Sequence, residues 1–70
     1  MHSTYTNEEL QEAHKQIASA LHKTKEVLKT FLAKENPDRY KSQITLARRR
    51  IQAFEISLAL IEEQSDGSIL

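Results

Sequence analysis

The chain contains no cysteine and no tryptophan, and it has a single proline and a single glycine. The lack of cysteine excludes disulfides and thiolate metal sites, which fits a reducing compartment. A lone glycine provides no glycine-rich loop that could hold a phosphate. We therefore predict no cofactor and no metal site, and a protein that is not an enzyme.

Long hydrophobic runs are also missing. The longest apolar stretch, ISLALI at residues 56–61, is interrupted by Ser57 and is far shorter than the roughly 20 residues that cross a bilayer. The first residues, MHSTYTNEEL, have neither the basic nor the apolar segment of a signal peptide. These features predict a cytoplasmic chain without a membrane partner.

The length of 70 residues predicts one small domain over residues 1–70, near the lower size limit for a single hydrophobic core. Domains of this size are commonly stabilised by disulfides, metals or oligomerisation. Because disulfides are absent, we look for self-association in the pattern of apolar residues.

A first helix is predicted over about residues 7–34. Thr6 is its N-cap, Glu9 completes a capping box, and Tyr5 and Leu10 form a hydrophobic staple. One apolar row, which we call the seam, follows heptad spacing: Leu10, His14, Ile17, Leu21, Thr24, Leu28 and Phe31. Neighbouring residues widen it into one face that we expect to be buried: Ala13, Ala18, Ala20, Val27 and Leu32.

The only proline, Pro37, predicts a turn at about residues 35–37, with Asn36 as N-cap of a second helix over about residues 38–65. Gly67 is a stop signal for that helix. The second helix has a seam of its own: Tyr40, Ile44, Ala47, Ile51, Phe54, Leu58 and Ile61. A turn this short forces neighbouring antiparallel helices, so the predicted fold is an all-α helical hairpin.

The second helix has another apolar row, which we call the stripe, on nearly the opposite side from its seam: Leu46, Ala53, Ile56 and Leu60. The first helix can cover only one of these two faces. An uncovered apolar row marks a partner surface. We therefore predict self-association through the stripe into a homodimeric four-helix bundle, and the alternative is that helix 2 docks into a different protein.

The charges sum to zero but are segregated along the chain. Residues 15–50 hold all ten Lys and Arg and only three acids, a net charge of +7, while the remaining residues hold seven acids and no base. In a hairpin the acids gather at the open end and the basic residues lie toward the turn. This layout favours a dimer whose turns lie at opposite ends, although exposed pairs contribute little energy.

A basic cluster in the middle of the chain is a candidate polyanion-binding site, formed by Lys23, Lys25, Lys29, Arg48, Arg49 and Arg50. Consecutive helical residues point about 100° apart, so the three arginines cannot share one face. Ion-paired or solvated side chains are the alternative interpretation. The helices are too long and the turn is too tight for a helix-turn-helix motif.

The predicted layout resembles that of the plasmid-encoded Rop protein, a dimer of helical hairpins that binds RNA, although no sequence motif is shared. From the residues themselves we expect a small non-enzymatic regulatory or interaction protein, bacterial or phage in style. We expect it to act as a homodimer and to bind another macromolecule, namely a protein, through its charged outer faces. Binding of RNA or DNA by the basic cluster is the alternative.

Overall fold

The structure, a computed structural model, describes residues 5–64. They form α1 (Asn7–Leu32), a short 3₁₀ helix (Pro37–Tyr40) and α2 (Lys41–Gln64), and this part of the chain contains no strand. The two long helices pack against each other, and the Cα atoms span 47 × 20 × 14 Å. The predicted all-α helical hairpin is confirmed.

The start of α1 is fixed by the capping box that the sequence predicts. The Thr6 hydroxyl accepts a hydrogen bond from the Glu9 N–H at 3.1 Å, and the Thr6 N–H donates to the Glu9 carboxylate at 2.9 Å. Two of the backbone N–H groups that have no hydrogen-bond partner within the helix are thereby satisfied. Leu10 follows one residue later and is buried.

The turn differs from the prediction in its details. The helix α1 ends at Leu32, two residues early, because the Lys34 N–H bonds to the carbonyl of Phe31 and tightens the last turn. Asn36 has left helical geometry, with φ −123° and ψ 76°, as expected for a residue before proline.

The second helix begins as a 3₁₀ turn at Pro37 rather than as an α-helix at residue 38. Asn36 stands at the N-cap position with Pro37 directly after it at the helix start, as predicted, although the Asn36 side chain makes no capping hydrogen bond. The Arg39 N–H instead donates to the Asn36 carbonyl at 3.1 Å, the short-range bond of a 3₁₀ turn. The predicted end of the helix at residue 65, together with Asp66 and Gly67, lies outside the described residues.

Every residue of the two seams is buried or half-buried, as predicted. Among residues 5–64, however, only the apolar side chains of Leu10 and Ala47 are fully buried. Val27 and Leu32, which we expected to widen the buried face of α1, remain 47% and 46% exposed. That expectation was wrong because a single facing helix covers only one arc of α1. The core of the hairpin is therefore a thin line between two helices.

Candidate functional site

The stripe on α2 lies on the surface of the hairpin. Leu46, Ile56 and Leu60 are 46%, 53% and 55% exposed, and Ala53 is also exposed. Leu46, Ala53 and Leu60 are seven residues apart, which is the spacing of a helix that packs along another helix. The stripe therefore has the pattern of a helix-packing surface, and no helix within residues 5–64 packs along it.

An apolar groove joins the stripe to α1. It is an open depression of ≈170 Å³ whose walls come from both helices: Thr24, Val27, Phe31, Gln43, Leu46, Ala47 and Arg50. Val27 and Leu46 thus border the same groove. The sequence reasoning assigned Val27 to the buried face and missed its place beside the stripe. The signal was present, because Ala13, Ala20 and Val27 recur at heptad spacing next to the seam.

The opposite side of the hairpin is held by polar contacts between the helices. His14 Nε2 lies 2.9 Å from Glu62 Oε2, and Lys25 Nζ lies 3.7 Å from Glu55 Oε2. At about 100° per residue, Lys25 and Glu55 fall on the other side of their seams from Val27 and Leu46. The hairpin therefore has a groove flank, with Val27 and Leu46, and an ion-pair flank, with Lys25 and Glu55.

The six candidate polyanion-binding residues are all exposed, but they do not form one patch. Lys25 pairs with Glu55 on the ion-pair flank, and Lys29 Nζ lies 3.5 Å from Glu26 Oε2 on the same helix. Arg50 forms a wall of the groove on the other flank.

The other three basic residues complete this dispersed arrangement. Helical geometry turns Lys23 and Arg49 toward the groove side and Arg48 toward the ion-pair flank. Nucleic-acid binding by these six residues stays a prediction. An affinity for RNA or DNA that falls steeply as the salt concentration rises would support it.

Within residues 5–64, neither helix is long and apolar enough to cross a membrane. The same residues contain no group of three or more His, Asp or Glu side chains placed to hold a metal ion. Comparison of the chain with protein-family models, with curated proteins and with solved structures finds no match.

Proposed function

We propose that the chain is a small non-enzymatic interaction protein that acts as a homodimeric four-helix bundle assembled through the stripe. The observation that supports this is the exposure of Leu46, Ile56 and Leu60 on a hairpin with so little core. Complete burial of such a side chain contributes about 1.5 to 3 kcal/mol, and covering the half that is still exposed here contributes roughly half of that. A second hairpin would thus supply the buried apolar area that one hairpin lacks.

A second copy is the simplest partner for this surface. Most soluble oligomers are symmetric homo-oligomers, and a two-fold dimer uses the same patch on both chains. The stripe, with heptad-spaced apolar residues at each end and Ala53 between them, meets that requirement. The dimer would leave the charged outer faces free to bind another macromolecule, which is how we propose that it acts in regulation.

The test is sedimentation equilibrium of the purified chain over the micromolar range, together with circular dichroism melts. We expect a dimer whose melting temperature rises with concentration. Leu46→Glu and Ile56→Glu should each give a less stable monomer, because a carboxylate in the interface would be buried without a partner. The matched control is Leu32→Glu, since Leu32 is as exposed as Leu46 but lies outside the stripe.

Two results would contradict the homodimer. One is a monomer of the unmodified chain at every concentration, which would leave the stripe as a docking site for helix 2 in a different protein. The other is a melting curve that neither substitution in the stripe changes. An equal loss of dimer in Leu32→Glu would show that the carboxylate acts through the fold of the hairpin and not through the stripe.

A further inference from the structure

We propose that the second copy docks on the groove flank with its turn at the opposite end. Val27 of α1 then joins Leu46 and Leu60 in the interface, and the two-fold axis passes beside Ala20 and Ala53. This inference rests on the proposed self-association and specifies its face and its orientation.

The spacing of residues along the two helices carries the symmetry argument. The groove sets Val27 beside Leu46. Because the helices are antiparallel, a step of seven residues toward the open end along each helix places Ala20 level with Ala53. A further step of seven residues places Ala13 level with Leu60. An alanine is therefore the middle residue of both rows, and a two-fold axis at that level places Leu46 opposite Leu60 of the partner copy. Small side chains at the axis allow the helices to approach closely.

Two hydroxyl groups near the axis are already satisfied. The Thr24 hydroxyl donates to the Ala20 carbonyl at 2.8 Å, and the Ser57 hydroxyl donates to the Ala53 carbonyl at 2.8 Å. A partner that covers this level therefore leaves neither hydroxyl buried without a hydrogen bond, and an unsatisfied buried hydroxyl would oppose association. The polar residues between the two apolar rows are thus compatible with burial.

The groove supplies space for a side chain of the partner. Its ≈170 Å³ lies between Val27 and Leu46. In the proposed orientation, Leu60 of the partner copy arrives at that level and fills it. Arg50 forms the groove wall with a long apolar stem, and its guanidinium can stay in solvent while the stem packs against the partner.

The charge distribution favours this orientation. Residues 21–53, the half of the hairpin nearer the turn, hold nine Lys and Arg and three acids, whereas the described residues of the open half, 5–20 and 54–64, hold six acids and one base, Lys15. The ends are separated along a molecule 47 Å long, well beyond the screening length of about 8 Å at physiological salt. Only a dimer with opposed turns brings the acidic end of one copy next to the basic end of the other.

Cross-linking of single-cysteine variants tests the orientation, because the natural chain has no cysteine to interfere. A short bismaleimide should link Ala53→Cys chains to one another. It should also link Leu46→Cys to Leu60→Cys when the two are mixed. It should leave Leu46→Cys alone unlinked, since two copies of residue 46 would lie about 21 Å apart, at 1.5 Å per residue.

Strong linking of Leu46→Cys to itself would overturn the orientation, because only a dimer with parallel second helices brings those residues together. A dimer in which none of these variants is linked would overturn the choice of face. A monomer in sedimentation equilibrium of the unmodified chain would instead contradict the proposed self-association itself. Because that measurement precedes the cysteine variants, its failure is distinguished from a wrong orientation.

The part played by α1 has its own test. Val27→Glu should raise the dimer dissociation constant at least about tenfold, and Leu32→Glu should leave it unchanged. Val27 and Leu32 are 47% and 46% exposed, and glutamate is a good helix former, so both variants should keep the hairpin. An unchanged dissociation constant for Val27→Glu would confine the interface to α2 and overturn the proposed face.

Discussion

The imidazole Nε2 of His14 lies 2.9 Å from the carboxylate Oε2 of Glu62, across the open end of the hairpin. The two residues are 48 positions apart in sequence, and both side chains are partly buried. At the other end, the rings of Phe31 and Tyr40 meet with their centroids 5.2 Å apart. A polar pair thus joins α1 to α2 at the open end, an aromatic pair joins α1 to the 3₁₀ helix at the turn, and the mainly apolar seams lie between them.

The contact between His14 and Glu62 should be a measurable source of stability. A double-mutant cycle with His14→Ala and Glu62→Ala should give a coupling energy of about 0.5–1.5 kcal/mol. Each single substitution already removes the partly buried hydrogen bond between the two side chains, so the double variant loses less stability than the sum of the two single losses. The free energy of unfolding is measured in urea at one pH and one protein concentration.

The ion pair between Lys25 and Glu55 is the matched control for that cycle. It also crosses between the helices, but the atoms are 3.7 Å apart and each side chain is about half exposed. Its coupling should be at the low end of the range for exposed pairs, about 0.2–0.5 kcal/mol. A coupling at His14 and Glu62 no larger than this would contradict the importance of the open-end contact.

The N-cap of α1 gives a second prediction. Thr6→Ala should lower the free energy of unfolding by about 1 kcal/mol, because the Glu9 amide loses its acceptor. Thr45→Ala is the control, since Thr45 is exposed within α2, where alanine is the better helix former and should be neutral or slightly stabilising. Equal losses in the two urea titrations would argue against the capping box as a stabilising feature.

The seams and the N-cap could be read from the sequence because each depends on short-range information. The capping box needs only Thr6 and Glu9, and each seam needs only a repeating pattern and one facing helix. The turn was less predictable. Its 3₁₀ geometry depends on how Pro37 and the residues before it satisfy their backbone groups while the chain reverses direction, and composition does not fix that.

The candidate surface was also predictable only in part. A helical wheel identifies Leu46, Ala53, Ile56 and Leu60, because they share one side of a single helix. It cannot show that Val27 borders the same groove as Leu46, since that depends on the register between the helices. The ion pair between Lys25 and Glu55 was not predicted for the same reason, because it too depends on the register between the helices.

The aromatic pair beside the turn gives the last prediction. Tyr40 is half-buried, and its ring lies at 34° to that of Phe31. Tyr40→Phe keeps the ring contact and should change the free energy of unfolding by less than about 0.5 kcal/mol.

Two further variants of Tyr40 separate the ring contact from simple burial. Tyr40→Leu keeps apolar contact but loses the ring pair, so we expect a loss of about 0.5–1.5 kcal/mol. Tyr40→Ala removes both and should cost about 2 kcal/mol, less than for a fully buried aromatic residue. Urea denaturation of the three variants should give the stability order Phe, Leu, Ala. If leucine matched phenylalanine, burial alone would account for the contact, and the ring geometry would contribute nothing to closing the hairpin.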